Sequence, residues 1–255
     1  KTPNSKVWAE MKFGQRIRSE EAACLSGHRL ELAGHYLDYK TLKKLIKEIQ
    51  KEKSYKDRSP PPSTLEENFK KVIMNEIEKI DTLFVGREAE YWYNFFLNLY
   101  PKVLEVIRKR NDGLAGIEDA ADPMPKQSDK AVLDACTELD DFTQKLDNLR
   151  RFALINTLAL IKITKKHDKR YPDSPLQRSV LHSLAGRAFF DSPRFPQLLA
   201  RAHDLARSLG LHPHPEGARA GYNASGSEDE EAGEGRKEGG LDSPPPAPVS
   251  LARGP

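Results

Sequence analysis

Between residues 131 and about 169 the apolar side chains Leu139, Phe142, Leu146, Leu149, Ala153, Leu160 and Ile163 recur at steps close to three and four. That period is helical, and unbroken at 1.5 Å per residue the segment is on the order of 55 Å long. A rod of that length cannot stabilise itself in water. It therefore needs other amphipathic helices along its flanks, which makes an all-α bundle the economical fold. Asn156 interrupts the seam, and a single polar residue in such a place is read as setting register.

Candidate partners are legible upstream. Residues 11–18 allow a short helix with Phe13 and Ile17 one turn apart. Tyr39, Leu42, Leu45, Ile46 and Ile49 mark an amphipathic helix through TLKKLIKEIQKEK, ended by Pro60, Pro61 and Pro62. Ser63 or Thr64 with Glu66 or Glu67 three residues on reads as a capped start. From Leu65 a stripe of Phe69, Val72, Ile73, Ile77, Ile80, Leu83 and Phe84 continues into YWYNFFLNLY. Pro101 is expected to kink or break that helix, which resumes to about Arg110, and 111–129 read as a loop by their Gly, Asp and Pro content. After Tyr171 and Pro172, one or two short helices joined near Pro193 are expected to cap the bundle. From 211 onward Gly, Ala, Pro, Glu and Ser dominate, a composition that predicts disorder.

Charge is divided along the chain. The formal net charge is +3, but residues 211–255 hold four Lys or Arg against eight Asp or Glu, so residues 1–210 carry about +7. An anionic partner suits that part. Cys24 and Cys136 have no ligand spacing, so no zinc site or disulfide framework is indicated and a reducing compartment is expected. No apolar run reaches bilayer length.

Two lysine clusters concentrate the charge. LIKITKKHDKR at residues 160–170 sets Lys162, Lys165, Lys166 and Lys169 at i, i+3, i+4 and i+7, one face of a helix. Lysines also suit a helix C-terminus, and a solvated helix end is the competing reading of that cluster alone. A second basic helix weighs against it: Lys43 follows Tyr39 by one turn, with Lys40, Lys44 and Lys47 beside it. Side by side, the two helices would present ammonium groups and a phenol to a compact ligand bearing several phosphates.

Other candidates carry less. His28 and His35 lack a completing ligand, and His212 and His214 suit only adventitious metal binding. His167 and Asp168, adjacent on a helix, are expected to diverge. Glu76, Glu78, Asp81, Glu88 and Glu90 read as a solvated face or as partners for lysines. Ser227 lies before an acidic run, a context for phosphorylation, and no glycine-rich phosphate loop follows a strand.

MKFGQRI at 11–17, YLDYKTLKKLIK at 36–47, FKKVIMNEIEKIDTLFVGREAEY at 69–91 and LRRFALINTLALIKITKKHDKR at 149–170 resemble, in order, the signatures of the SPX domain family. The resemblance implies an N-terminal helical hairpin on a three-helix bundle and binding of inositol polyphosphates, above all pyrophosphates, as reporters of cellular phosphate. Carried over, the family's phosphate-binding cluster falls on Tyr39, Lys43 and Lys165. Its lysine surface cluster falls on Lys162, Lys166 and Lys169, with Lys12 as an N-terminal contact. Met11 resembles the family's start, so residues 1–10 are expected to be an extra.

The chain departs from the pattern in three places. Residues 18–35 lack the usual Pro- and Trp-containing turn, His167 replaces an aromatic, and Gly86 falls in a helix the family keeps continuous. The domains expected are 1–10 extra, 11–170 ligand-binding, 171–210 short helices and 211–255 tail. The segment FFDSPRFPQLLARAHDL resembles standalone plant and algal members. The expected function is a non-catalytic sensor without cofactor or metal, in nucleus or cytoplasm, that binds an inositol polyphosphate and regulates a MYB-type phosphate-starvation transcription factor. The alternatives are a structural bundle meeting anionic membrane or nucleic acid, and a detached module of a longer transporter or polyphosphate polymerase.

Overall fold

In the computed structural model, residues 11–25, 30–55, 64–115 and 126–211 are described. They form α1 (Phe13–Leu25), a 3₁₀ turn (Leu30–Leu32), α2 (Tyr39–Tyr55), α3 (Thr64–Asn94), a π turn (Phe95–Leu99), α4 (Tyr100–Ala115), α5 (Lys126–Arg170), α6 (Gln177–Leu184), α7 (Ala188–Asp191) and α8 (Arg194–Ser208). The all-α bundle implied by the three-four repeat is the fold observed. Helix α5 is its spine, with Leu139, Phe142, Leu146, Leu149, Leu160 and Ile163 buried along one side. Each such side chain contributes about 1.5–3 kcal/mol on burial.

Stacked rings orient the long pair. Phe69 lies 4.9 Å from His167 near one end, and Phe95 lies 5.4 Å from Phe142 further along, so α3 runs antiparallel to α5. Helix α2 runs parallel to α5: the Leu37 N–H donates to Asn156 at 2.8 Å, and the Tyr171 hydroxyl donates to the Ile46 carbonyl at 2.9 Å. Asn156 thus ties the entry of α2 to one level of α5. Fully buried, it receives the chain entering α2 and donates its own amide to Phe152 O at 3.0 Å.

Proline explains the departure at α3–α4. Pro101 has no N–H and its ring crowds the carbonyl four residues back. The chain absorbs this one turn early, where the Tyr100 N–H reaches Phe95 O across a π turn, so the helical path continues through the predicted break. Helix also extends into the expected loop from both sides, over 111–115 and 126–129. An Arg108–Asp112 pair spans the first of these extensions. Helix α1 outruns its predicted end because Glu20, itself buried, accepts a hydrogen bond from Arg151 of α5.

The C-terminal segment is three pieces that dock along α3 and α5. Ser174 donates to Glu66, Arg187 donates to Glu78 at 2.7 Å and to Asp81 at 3.3 Å, and Ser192 donates to Glu88. Phe195 then meets Phe84 edge-on at 5.4 Å. The acidic residues of α3 therefore hold the returning chain. Residues 1–10, the proline cluster at 60–62, Ser63 and the tail from 212 lie outside the described residues.

Candidate functional site

Helix α2 starts where it does because Asp38 caps it. Its Oδ1 accepts the Thr41 N–H at 3.0 Å and its carbonyl accepts Leu42 N–H at 3.1 Å. Partial burial opposes ionisation of Asp38, yet the hydrogen bonds from Thr41 and the nearby Lys79 ammonium together hold its carboxyl below the usual carboxylate range. The residues just before it are fixed from two sides. Lys79 of α3 donates to Tyr36 O at 3.0 Å and to Glu76 at 2.7 Å, and Glu76 accepts the Asp38 N–H at 2.8 Å. With Leu37 held by Asn156 of α5, Tyr39 has one available position.

Phe13 joins three elements at that position. The Tyr39 ring meets it edge-on with centroids 5.7 Å apart, and the Lys162 ammonium of α5 sits 5.1 Å from its centroid. Gly14 allows the close approach, since a Cβ there would stand 3.3 Å from Cδ1 of Tyr39. Lys12 heads α1, its carbonyl accepting the N–H groups of Gln15 at 2.8 Å and Arg16 at 3.2 Å. The first turn of a helix directs N–H groups and positive potential outward. In α1 that turn opens beside Tyr39 and Lys162.

On α5 the lysines fall on two strips. Lys162, Lys166 and Arg170 follow one another at i, i+4 and i+8; Lys162 lies over Phe13 of α1, and Arg170 donates to Gln50 of α2. Lys166, between them, faces the α1–α2 side and is half-buried, as are Tyr39 and Lys43. Lys12, Lys162, Lys165 and Lys169 are exposed. The parallel run of α2 and α5 puts Lys43 level with the stretch from Lys162 to Lys166 and Tyr39 about one turn before it.

His167 and Asp168 do not diverge as expected from their adjacency. His167 Nδ1 lies 3.0 Å from Asp168 Oδ1, and since a carboxylate accepts, Nδ1 carries the proton. Asp168 also accepts the N–H groups of Leu176 at 2.8 Å and Gln177 at 2.9 Å, so it anchors the start of α6. Burial works against its charge, and the Leu176 N–H and His167 outweigh it, leaving the carboxyl below its ordinary value. The missing aromatic at His167 is replaced in kind: the imidazole stacks on Phe69 within 9° of coplanar. Where the corner turns, burial and then the charge of Glu66 raise the pKa of Tyr171 against the opposing effect of Arg170.

His35 is occupied with the Ala33 carbonyl at 3.0 Å, while His28, His212, His214 and Ser227 lie outside the described residues. Among the described residues, no group of three or more His, Cys, Asp or Glu is arranged to hold a metal ion, and no helix is long and apolar enough to cross a membrane. Asn156, Asp38 and Phe13, which position the lysine junction, were not singled out as site residues. Each carries a signal in the sequence: Asn156 interrupts the apolar seam, Phe13 stands one turn from Ile17, and Asp38 directly precedes an apolar-periodic run.

Comparison with known proteins finds similarity to one domain family over the first part of the described chain. The model of the SPX domain matches residues 11–76. The chain is 28% identical over 162 residues to vacuolar transporter chaperone complex subunit 4 of Schizosaccharomyces pombe, covering 62% of this chain and 19% of that protein. It is 27% identical over 173 residues to SPX domain-containing protein 1 of Arabidopsis thaliana, covering 64% of this chain and 57% of that one. The chain thus spans less than two thirds of either relative. Among solved structures, the SPX domain of Chaetomium thermophilum glycerophosphodiester phosphodiesterase 1, in complex with inositol hexakisphosphate, is similar with a TM-score of 0.55 and 21% identity, over 78% of this chain and 99% of that one. At that identity the likeness is one of fold.

Proposed function

We propose that the SPX domain present in this chain binds an inositol polyphosphate, pyrophosphorylated forms included, where α1, α2 and α5 meet, and so regulates a partner protein without catalysing a reaction. The observation that carries this reading is the convergence at Phe13, which sets the first turn of α1, Tyr39 and Lys162 side by side. Tyr39, Lys43 and Lys166 form the inner set. Lys166 takes the inner place that the family pattern gives to Lys165, because it is half-buried on the strip between Phe13 and Gln50. Lys12, Lys162, Lys165 and Lys169 form the outer rim.

The chemistry favours a ligand with several phosphates on a small frame. Each ammonium gives adaptable donors and charge, and the phenol gives one directed hydrogen bond. Inorganic phosphate would engage one or two of these groups, whereas a polyphosphorylated ring spans both strips. In the same reading, the charge-neutralised junction becomes a surface for a MYB-type phosphate-starvation transcription factor in nucleus or cytoplasm.

Calorimetry at fixed salt tests the ligand with inositol hexakisphosphate, inorganic phosphate and a size-matched polyanion. The expected order is hexakisphosphate well ahead of both others, with a loss in Lys43→Ala/Lys166→Ala that Lys165→Ala does not reproduce. Equal affinities for all three anions, or binding to anionic vesicles or DNA that follows total charge whichever lysine is removed, would replace this reading with a nonspecific basic surface. A pulldown with and without hexakisphosphate then tests the regulated partner.

A further inference from the structure

The far end of the bundle carries an apolar strip that the proposed ligand site does not use. Tyr93 is 65% exposed and Leu97 is 70% exposed, and Pro101 and Leu104 continue on the same side into α4. In a regular α-helix, residues four apart drift around the axis by about 40° per step. The π turn at Phe95–Leu99 takes up an extra residue, so Tyr93, Leu97 and Pro101 stay in line. Trp92, Phe96 and Tyr100 flank the strip, with successive ring centroids 4.7 and 6.2 Å apart. Two exposed apolar side chains in register beside an aromatic ladder form a patch, unlike the single exposed apolar residues elsewhere on α3.

Charges bracket the strip with opposite signs. Glu90 lies one turn before its start and Arg108 one turn beyond its end, both exposed. Among the described residues each has a local surface partner: Glu90 pairs with Arg87 at 2.6 Å, and Arg108 with Asp112 at 3.9 Å. Such pairs exchange at little cost. A strip acidic at one end and basic at the other is complementary to itself when reversed. With a twofold axis at the level of Leu99, Leu97 of one chain faces Pro101 of the other and Glu90 faces Arg108, while Tyr93 comes opposite Glu105, with Leu104 one residue to the side.

We propose that this face of α3–α4 binds a second copy of the chain in an antiparallel, isologous pair centred near Leu99. The Leu97–Pro101 and Glu90–Arg108 pairings share one centre, and Tyr93 lies within one residue of Leu104 about it, as a closed twofold interface requires. The lysine junction lies at the opposite end of α3, so pairing leaves it open.

Sedimentation equilibrium of the full chain over a concentration series tests the pair. The expected result is a monomer–dimer equilibrium that Leu97→Asp weakens by about 100-fold or more, with circular dichroism and melting temperature unchanged because the residue is exposed. Glu90→Arg and Arg108→Glu should each weaken the dimer about tenfold, and the double exchange should recover most of the loss. A chain that stays monomeric at high micromolar concentration overturns the proposal, as does a dimer indifferent to Leu97→Asp. Single charge variants that weaken association without rescue by the double exchange overturn the antiparallel register.

Discussion

Two seams of this molecule use charge in opposite ways. Along α3 the acidic residues are matched to the returning C-terminal chain: Arg187 is held by Glu78 and Asp81, Asp81 also receives the Phe189 N–H at 3.4 Å, and serine hydroxyls satisfy Glu66 and Glu88. Hydrogen bonds to Glu78 and then Asp81 push the pKa of Arg187 up, so it stays charged throughout the accessible range. At the junction of α1, α2 and α5 the neutral groups Asn156, Phe13 and the Leu37 backbone tie the three helices together, while Asp38, Glu76 and Lys79 fix only the start of α2. One seam closes its charges on itself. The other gathers cations from two helices on one side of α5.

The sharpest way to break this contrast is to remove the neutral frame. Asn156→Leu leaves the Leu37 N–H buried without its acceptor, and the expected cost is about 3 kcal/mol by urea unfolding. Affinity for inositol hexakisphosphate should fall with it, since Tyr39 follows Leu37 directly. A next step removes cations: Lys43→Ala/Lys166→Ala should lose about 2–3 kcal/mol of binding free energy, read by titration calorimetry. Arg187→Ala inverts that pattern. It should cost about 1 kcal/mol of stability and leave hexakisphosphate affinity unaltered, as differential scanning calorimetry and titration calorimetry would read separately.

Acid sharpens the same comparison at smaller amplitude. Asp38 and Asp168 both have folded-state pKa values below their ordinary ones, so their stabilisation is present above the unfolded carboxylate value and fades as pH falls through the folded one. Stability measured by denaturant midpoint should therefore decline on going below about pH 4, and Asp38→Asn should flatten part of that slope. The smallest effect lies in α3, where Gly86 is exposed and a Cβ there meets nothing within 4 Å. Gly86→Ala should raise stability by about 0.5–1 kcal/mol and move neither seam.

Periodicity made the spine legible, because a helix packed on several sides must repeat its apolar residues and does so from Leu139 to Ile163. It also marked the Tyr39 helix and the Leu65 stripe. What it could not convey is how polar side chains are spent. Glu20, Glu66 and Glu88 look like solvent-facing acids in the sequence and are buried against partners more than 100 residues away, a relation that no local pattern encodes. Pro101 was read as a break because the sequence cannot show that a π turn will relieve it. Adjacency on a helix argued against a His167–Asp168 contact, but Asp168 is turned by two backbone donors of the next element and meets the imidazole on the way. At the candidate site, the lysines were visible as a cluster, whereas their division into an inner and an outer strip depends on which flank of α5 receives α1 and α2.

The hydrogen bond between Leu37 and Asn156 joins residues 119 apart, and that between Tyr171 and Ile46 joins residues 125 apart. During synthesis the first basic helix therefore leaves the ribosome long before its counterpart exists, and it has no core of its own to fold around. High contact order of this kind slows folding and leaves early segments waiting. A nascent chain that has not yet reached Arg170 has the lysines of α2 without their second strip, so the two strips come together only once the spine is complete.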